Sequence, residues 1–171
     1  MTLDLPTLDR DDFAVKFDRF IQSATRNHPE LRITPNDQVA WKPLDRPLSD
    51  CTVTLVTTAG VRHRDDTPFQ HDSPWGDSSY RILPAEIDSR ELVSDEIHLD
   101  TASAHEDMNC LFPVTRLREL ADEGIIGAVA PRHFSMLGFL PDPGCGLYDT
   151  ACDVAAAVKD SGADIALLTP G

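Results

Sequence analysis

Apolar and polar positions along this chain fall into a few rhythms. Over residues 9–25, Phe13, Phe17, Phe20, Ile21 and Ala24 recur at helical spacing on one face. Acidic residues crowd the first turn of that stretch, where a helix dipole favours them, so the pattern predicts a helix. Residues 29–50 carry four prolines and Trp41, which suits an extended connector. "CTVTLVTTAG", residues 51–60, is β-branched and almost continuously apolar, as a parallel strand covered on both faces should be. It predicts a strand near 52–58.

Two later stretches share one grammar. "VTRLRELADEG" reads as a short helix stopped by Gly124, with "IIGAVA" as the strand after it, near 125–130. "YDTACDVAAAVKDSG" reads as a helix stopped by Gly162, with a strand near 163–168 following. Helix, glycine and buried strand, twice over, indicate an α/β fold with a mainly parallel sheet, Rossmann-like or flavodoxin-like. Between Gly60 and Pro113, roughly fifty residues show little periodicity, and the expectation there is a long irregular insertion. The chain divides on this reading into an N-terminal helix and connector, 1–42, and an α/β domain, 43–171.

Composition narrows the function. The chain has 171 residues, 41% of them hydrophobic, with 29 acidic against 15 basic residues and a net charge of -14. A field of that sign repels phosphate backbones and anionic lipid, so neither nucleic acid nor membrane is an expected partner. No apolar run approaches the ~20 residues of a membrane span. The acidic N-terminus lacks a signal-peptide pattern, and a cytoplasmic protein is expected. Cys51, Cys110, Cys145 and Cys152 form no C-x-x-C pair, so free thiols are expected.

In open parallel sheets, ligands bind beyond the carboxyl ends of strands. Three such ends are predicted: "TTAGVRHR", "APRHFSMLGF" and "TPG". Adjacent strands would bring Thr57, Thr58, Gly60, Arg132, His133 and the chain terminus to one crevice. Arg132 has the fork that binds a carboxylate bidentately, and His133 titrates near neutrality. Equally, Arg132 could pair with a structural carboxylate and His133 cap a backbone carbonyl. "GDSSYR", residues 76–81, offers Ser78, Ser79 and Arg81 to an anion or amino acid. The same residues suit a turn in which Asp77 and the serines satisfy backbone groups. "HLDTASAHEDMN" holds His98, Asp100, His105 and Asp107, a composition compatible with a metal, but its spacing matches no strong ligand motif. A hydrogen-bonded polar loop is the simpler reading, and no metal is expected.

In their order, "LVTTAGV", "GDSSYR", the run D-x-N-x-x-F-P-x-x-R-L-x-E-L from Asp107, G-x-I-G from Gly124, and A-P-R-H-F-S-x-x-G from Ala130 resemble one family. It is that of the selenoprotein B subunit of glycine/sarcosine/betaine reductase and its D-proline reductase counterpart. The resemblance runs from about Pro43 to the last residue. It implies an oxidoreductase subunit in reductive cleavage of a C–N bond of a small amino acid or amine. A partner subunit would carry a pyruvoyl group that holds substrate, and a thioredoxin-like dithiol would supply electrons. No cofactor is implied in this chain itself. The family's reactive selenocysteine or cysteine follows a strand-end loop resembling "LLTPG", so it is expected just beyond Gly171. A selenocysteine codon read as stop would account for that, as would a split or decayed subunit.

On this resemblance His133 is the proton donor and Arg132 the carboxylate anchor. Thr57, Thr58, Gly60, Ser78, Ser79 and Arg81 line the substrate, and Asp77, Asp107 and Asn109 hold their loops. Two alternatives stand beside it: a non-catalytic partner that keeps the fold, and a metal-dependent enzyme using the His98/Asp100/His105/Asp107 loop.

Overall fold

The structure, a computed structural model, describes residues 10–27, 42–73, 76–97, 101–140 and 146–170. The chain forms two compact units, residues 1–41 and 42–171. In the first, α1 spans Arg10–Asn27, starting one residue later and ending two residues later than the predicted helix, with Phe17 and Phe20 exposed.

The second unit is an α/β fold. Its elements are β1 (Thr52–Thr57), β2 (Val61–His63), β3 (Tyr80–Pro84), β4 (Leu92–Ser94), α2 (Ala102–Glu106), α3 (Val114–Asp122), β5 (Ala128–Val129), β6 (Arg132–Met136), α4 (Leu147–Asp160) and β7 (Ile165–Thr169). β1 is central. β7 runs parallel to it on one side; β5 and then β6 run parallel to it on the other; β3 closes that side antiparallel to β6. β2 and β4 form a separate antiparallel pair within the Gly60–Pro113 segment.

β1 carries its apolar residues where this arrangement needs them. Val53 and Leu55 face a core built with Leu111, Phe112, Val114 and Leu117, the last two from the inward stripe of α3. Each such side chain contributes about 1.5–3 kcal/mol on burial. Gly124 and Gly162, at positive φ, follow the ends of α3 and α4, as the sequence predicts.

Two elements differ from expectation. The strand predicted near 125–130 is only Ala128–Val129, and "RHFSM", expected to be the loop beyond it, is the longer strand β6. Gly127 explains the first difference. A Cβ there would lie 2.8 Å from the Asp50 carbonyl carbon and 2.9 Å from the Ser49 oxygen, so this stretch is spent on close backbone packing. The second difference comes from a wide bulge. Thr52 and Val53 pair with Ala128 and Val129, whereas Val56 and Thr57 pair with Phe134 and Ser135. Thr54 and Leu55 therefore face the four residues Ala130–His133. Side chains close this gap: the Leu55 amide donates to His133 Nδ1 at 3.0 Å, and the Thr54 hydroxyl donates to the Arg132 carbonyl at 2.7 Å. The long insertion is also more ordered than its lack of periodicity suggests, since β3 joins the main sheet.

Candidate functional site

The carboxyl ends of β1, β6 and β7 lie side by side. Thr57 is in register with Ser135 on one side and Thr169 on the other. Register partners in parallel strands point to the same face, so three hydroxyls form a row across three strands. The Thr57 and Thr169 hydroxyls both donate to the Leu111 carbonyl, at 3.5 and 2.9 Å. Ser135 Oγ is buried and has no hydrogen-bond partner among the described residues. The Leu111 carbonyl is itself positioned by a short 3-10 turn, Met108–Cys110. Asp107 caps that turn, accepting from the Asn109 amide at 2.9 Å and the Asn109 side chain at 2.7 Å, while Asn109 Oδ1 accepts from the Thr115 amide. These bonds hold the Asp107 carboxyl below its usual range.

Beyond the row, the Thr58 amide donates to the Thr169 carbonyl and the Gly60 amide to the Met136 carbonyl. Gly60 has φ 58, a left-handed conformation that favours glycine, and a Cβ there would also press on Leu137 Cδ1 at 3.0 Å.

Because β3 is antiparallel to β6, with Tyr80 opposite Met136, the "GDSSYR" loop reaches this same edge. Asp77 organises it, accepting from the Gln70 amide (2.9 Å), the Ser79 amide (2.9 Å) and the Ser79 hydroxyl (2.5 Å). Partial burial raises the pKa of this carboxyl; those bonds, with the charge of Arg81, outweigh it and leave the pKa below the ordinary value. Arg81 stacks on Phe69 at 4.1 Å and donates to the Thr67 carbonyl and the Ser79 hydroxyl. The Thr150 hydroxyl, in the first turn of α4, donates to the Ser78 carbonyl at 2.6 Å. A cleft of about 500 Å³ opens here, lined by Thr67, Pro68, Gln70, Gly76, Asp77, Ser78, Ser79, Arg81 and Thr150. It is lined by both polar and apolar groups and lies at the edge where α/β sheets bind ligands.

The structure thus brings Thr57, Thr58, Gly60, Asp77, Ser78 and Ser79 to one edge. Arg132 and His133 are not part of it. Both lie at the start of β6, away from its carboxyl end at Met136. His133 is fully buried and packs edge-on against Phe112, with ring centroids 5.8 Å apart. Burial, assisted by the charge of Arg118, lowers its pKa to about 4. Its Nδ1 accepts from Leu55, so the neutral ring seals the bulge from inside the core. The expectation of a proton donor at the sheet edge is corrected accordingly: the residue alternates inward along a strand that the sequence reading treats as loop. Arg132 is partly exposed, and its backbone carbonyl is held by Thr54.

His98, Asp100, Cys145 and Gly171 lie outside the described residues. Among the described residues, no group of three His, Cys, Asp or Glu side chains stands close enough to hold a metal. Of the described thiols, Cys51 is buried, whereas Cys110 and Cys152 are exposed. Cys110 directly precedes Leu111, the carbonyl anchor of the hydroxyl row. Ser135, Thr150 and Thr169 are the residues that sequence reasoning misses. Their hydroxyls matter only through strand register and helix placement, which no local pattern encodes.

Among curated proteins, the gamma subunit of D-proline reductase from Acetoanaerobium sticklandii is 34% identical over 142 residues, covering 83% of this chain and 57% of that protein. The chain therefore spans little more than half the length of that relative. No family model and no solved structure matches. Among the described residues, no helix is long and apolar enough to cross a membrane.

Proposed function

Similarity over 142 residues relates this chain to the proline/glycine reductase family, and from that premise we propose that it serves in a reductase complex cleaving a C–N bond of a small amino acid or amine. The balance is simple. The C–N bond breaks, a C–H and an N–H bond form, and a dithiol supplies two electrons and two protons as it becomes a disulfide. In this reading a partner subunit holds the substrate on a pyruvoyl group, and this chain presents its carboxyl sheet edge to it. The Ser78 hydroxyl and the oxygen of Ser79, whose proton is held by Asp77, meet the substrate's polar groups, while Asp77 and Arg81 keep the loop in shape. Thr57 and Thr58 brace the sheet edge beside the cleft, Thr57 from within the core. A selenol or thiol, expected on the segment that follows β7, completes the chemistry. Soft nucleophiles of this kind react as anions and are resolved by a second thiol.

The observation that supports this reading is the convergence of the Thr67–Gln70 loop, the loop leading into β3 and the start of α4 on one cleft, in a chain related to a D-proline reductase subunit. The test is reconstitution with the pyruvoyl-bearing subunit of a D-proline reductase, dithiothreitol, and D-proline, glycine, sarcosine or betaine in turn. Complex formation is expected, with one substrate consumed once a selenol- or thiol-bearing segment is present. Absence of any complex with the pyruvoyl subunit sinks the proposal. A stable complex that never turns over identifies the chain as a non-catalytic partner.

A further inference from the structure

Two buried polar atoms of β6, His133 Nε2 and Ser135 Oγ, have no hydrogen-bond partner among the described residues. Both residues are fully buried. They stand two apart in the strand, so both side chains leave the same face. That face is covered by the segment entering α3. The Phe112 ring packs edge-on against His133, and Thr57, in register with Ser135, donates to the Leu111 carbonyl. Leu111 and Phe112 are themselves buried, so both atoms lie inside the core.

The other ring nitrogen fixes where the imidazole proton sits. Nδ1 accepts from the Leu55 amide at 3.0 Å, and the Thr54 hydroxyl beside it gives its proton to the Arg132 carbonyl. Nδ1 is therefore bare. The ring is neutral, since burial and the charge of Arg118 lower its pKa to about 4. Its single proton then lies on Nε2. Nε2 is thus a donor that lacks an acceptor, and Ser135 Oγ is able to accept and to donate. Bonds left unmade in a protein interior are strongly disfavoured. Strand positions two apart have Cα atoms only about 6.6 Å from each other, yet the two side chains do not bond directly. One intervening oxygen suits that spacing, because two hydrogen bonds of about 2.8 Å together span up to about 5.6 Å.

We propose that His133 Nε2 and Ser135 Oγ form an internal binding site for one water molecule, which accepts from the ring N–H and donates to the serine oxygen. An ion fits less well. A cation would meet the proton on Nε2. An anion would need a compensating charge, and Arg118, whose charge reaches the ring, already donates to the Ala85 and Ile87 carbonyls. The bound water closes a chain from the Leu55 amide through the ring to Ser135. That chain crosses the stretch where β1 and β6 have no register pairs, between Val53–Val129 and Val56–Phe134. The hydroxyl row at the sheet edge is thereby tied to the bulge beneath it.

This inference does not depend on reductase turnover, and its test needs none. A crystal structure of the 171-residue chain, refined with its ordered solvent, should show one water oxygen within hydrogen-bond distance of both atoms. Nitrogen-15 spectra of the histidine rings in solution should place the His133 proton on Nε2. Ser135→Ala should remove the water. It should also speed exchange of the Leu55 amide, held by the same ring, about tenfold relative to the Val53 amide. A gap without solvent density, a water touching only one of the two atoms, a direct His133–Ser135 bond, or a proton on Nδ1 overturns the proposal. So does a Ser135→Ala chain that keeps the water or exchanges Leu55 unchanged. Replacement of the density by bromide on soaking would overturn it as well, because the occupant would then be an anion.

Discussion

Truncating one carboxylate should loosen most of the insertion that frames the cleft. Arg62 and Asp95 form a bidentate pair, Nε–Oδ2 at 2.7 Å and Nη2–Oδ1 at 3.0 Å, with side chains only 11% and 12% exposed. Arg62 also donates to the carbonyls of His63, Arg64 and Asp66, and Asp95 accepts from the Phe69 amide at 2.8 Å. Two loops and the β2–β4 pair thus hang on one ion pair. Asp95→Ala leaves a buried guanidinium uncompensated and the Phe69 amide unpaired. Breaking a buried pair from one side costs about 3–5 kcal/mol, a large share of the roughly 5–15 kcal/mol that holds a domain together. At about 2–4 °C per kcal/mol for a chain of this size, the melting midpoint should fall by about 6–20 °C. Urea unfolding followed by circular dichroism measures the loss, and hydrogen exchange should show it concentrated in residues 61–70 and 92–96. A loss below about 1 kcal/mol, abolished in high salt, is the signature of a solvated surface pair and would refute the reasoning.

Other outcomes follow from the same geometry. His133 binds protons less readily folded, at about 4, than unfolded, near 6.5. The unfolded state therefore gains protons first, and stability should fall between pH 6.5 and 4 by about 3 kcal/mol. His133→Gln should flatten that slope, and an unchanged slope would assign it to other groups. Gly127→Ala should cost about 1–3 kcal/mol through overpacking, because its Cβ would meet the Asp50 and Ser49 backbone; a neutral result would mean that this junction yields freely. Among the described thiols, iodoacetamide should label Cys110 and Cys152 and spare Cys51, which is buried with its sulfur 3.3 Å from the Pro47 carbonyl; peptide mapping by mass spectrometry reads this directly. Thr169→Val should release the Leu111 carbonyl and raise hydrogen exchange across residues 107–112, and unaltered exchange would leave Thr57 as sufficient anchor.

The sheet is legible in the sequence because its strands and helices each bury one recognisable face. β1 announces itself as a run of β-branched residues, and α3 and α4 end at glycines. β6 is not legible. "RHFSM" has alternation, but its inward positions are His133 and Ser135 rather than aliphatic residues, so the hydrophobic period that marks a strand is missing. The candidate site divides in the same way. Thr57, Thr58 and Gly60 follow from the rule that ligands gather where parallel strands end, and so they can be placed from sequence. Ser135 and Thr169 join them through register, a long-range property. Arg132 and His133 look like chemistry because polar residues after a proline suggest a loop; a two-residue mismatch with β1 turns them into sheet.

The reversed direction of β3 has a consequence for how this edge can change. Strands that leave toward the cleft carry the core in their bodies, and lengthening one disturbs packing on both faces. β3 arrives from the cleft instead. Its approach, from Gly76 to Ser79, is anchored by Asp77 and Thr150 at a few points, and none of its residues belongs to the buried apolar cluster. The sheet therefore holds one adjustable wall against several fixed ones. Residues inserted or exchanged in that approach would reshape what the cleft admits and leave the scaffold beneath unaltered.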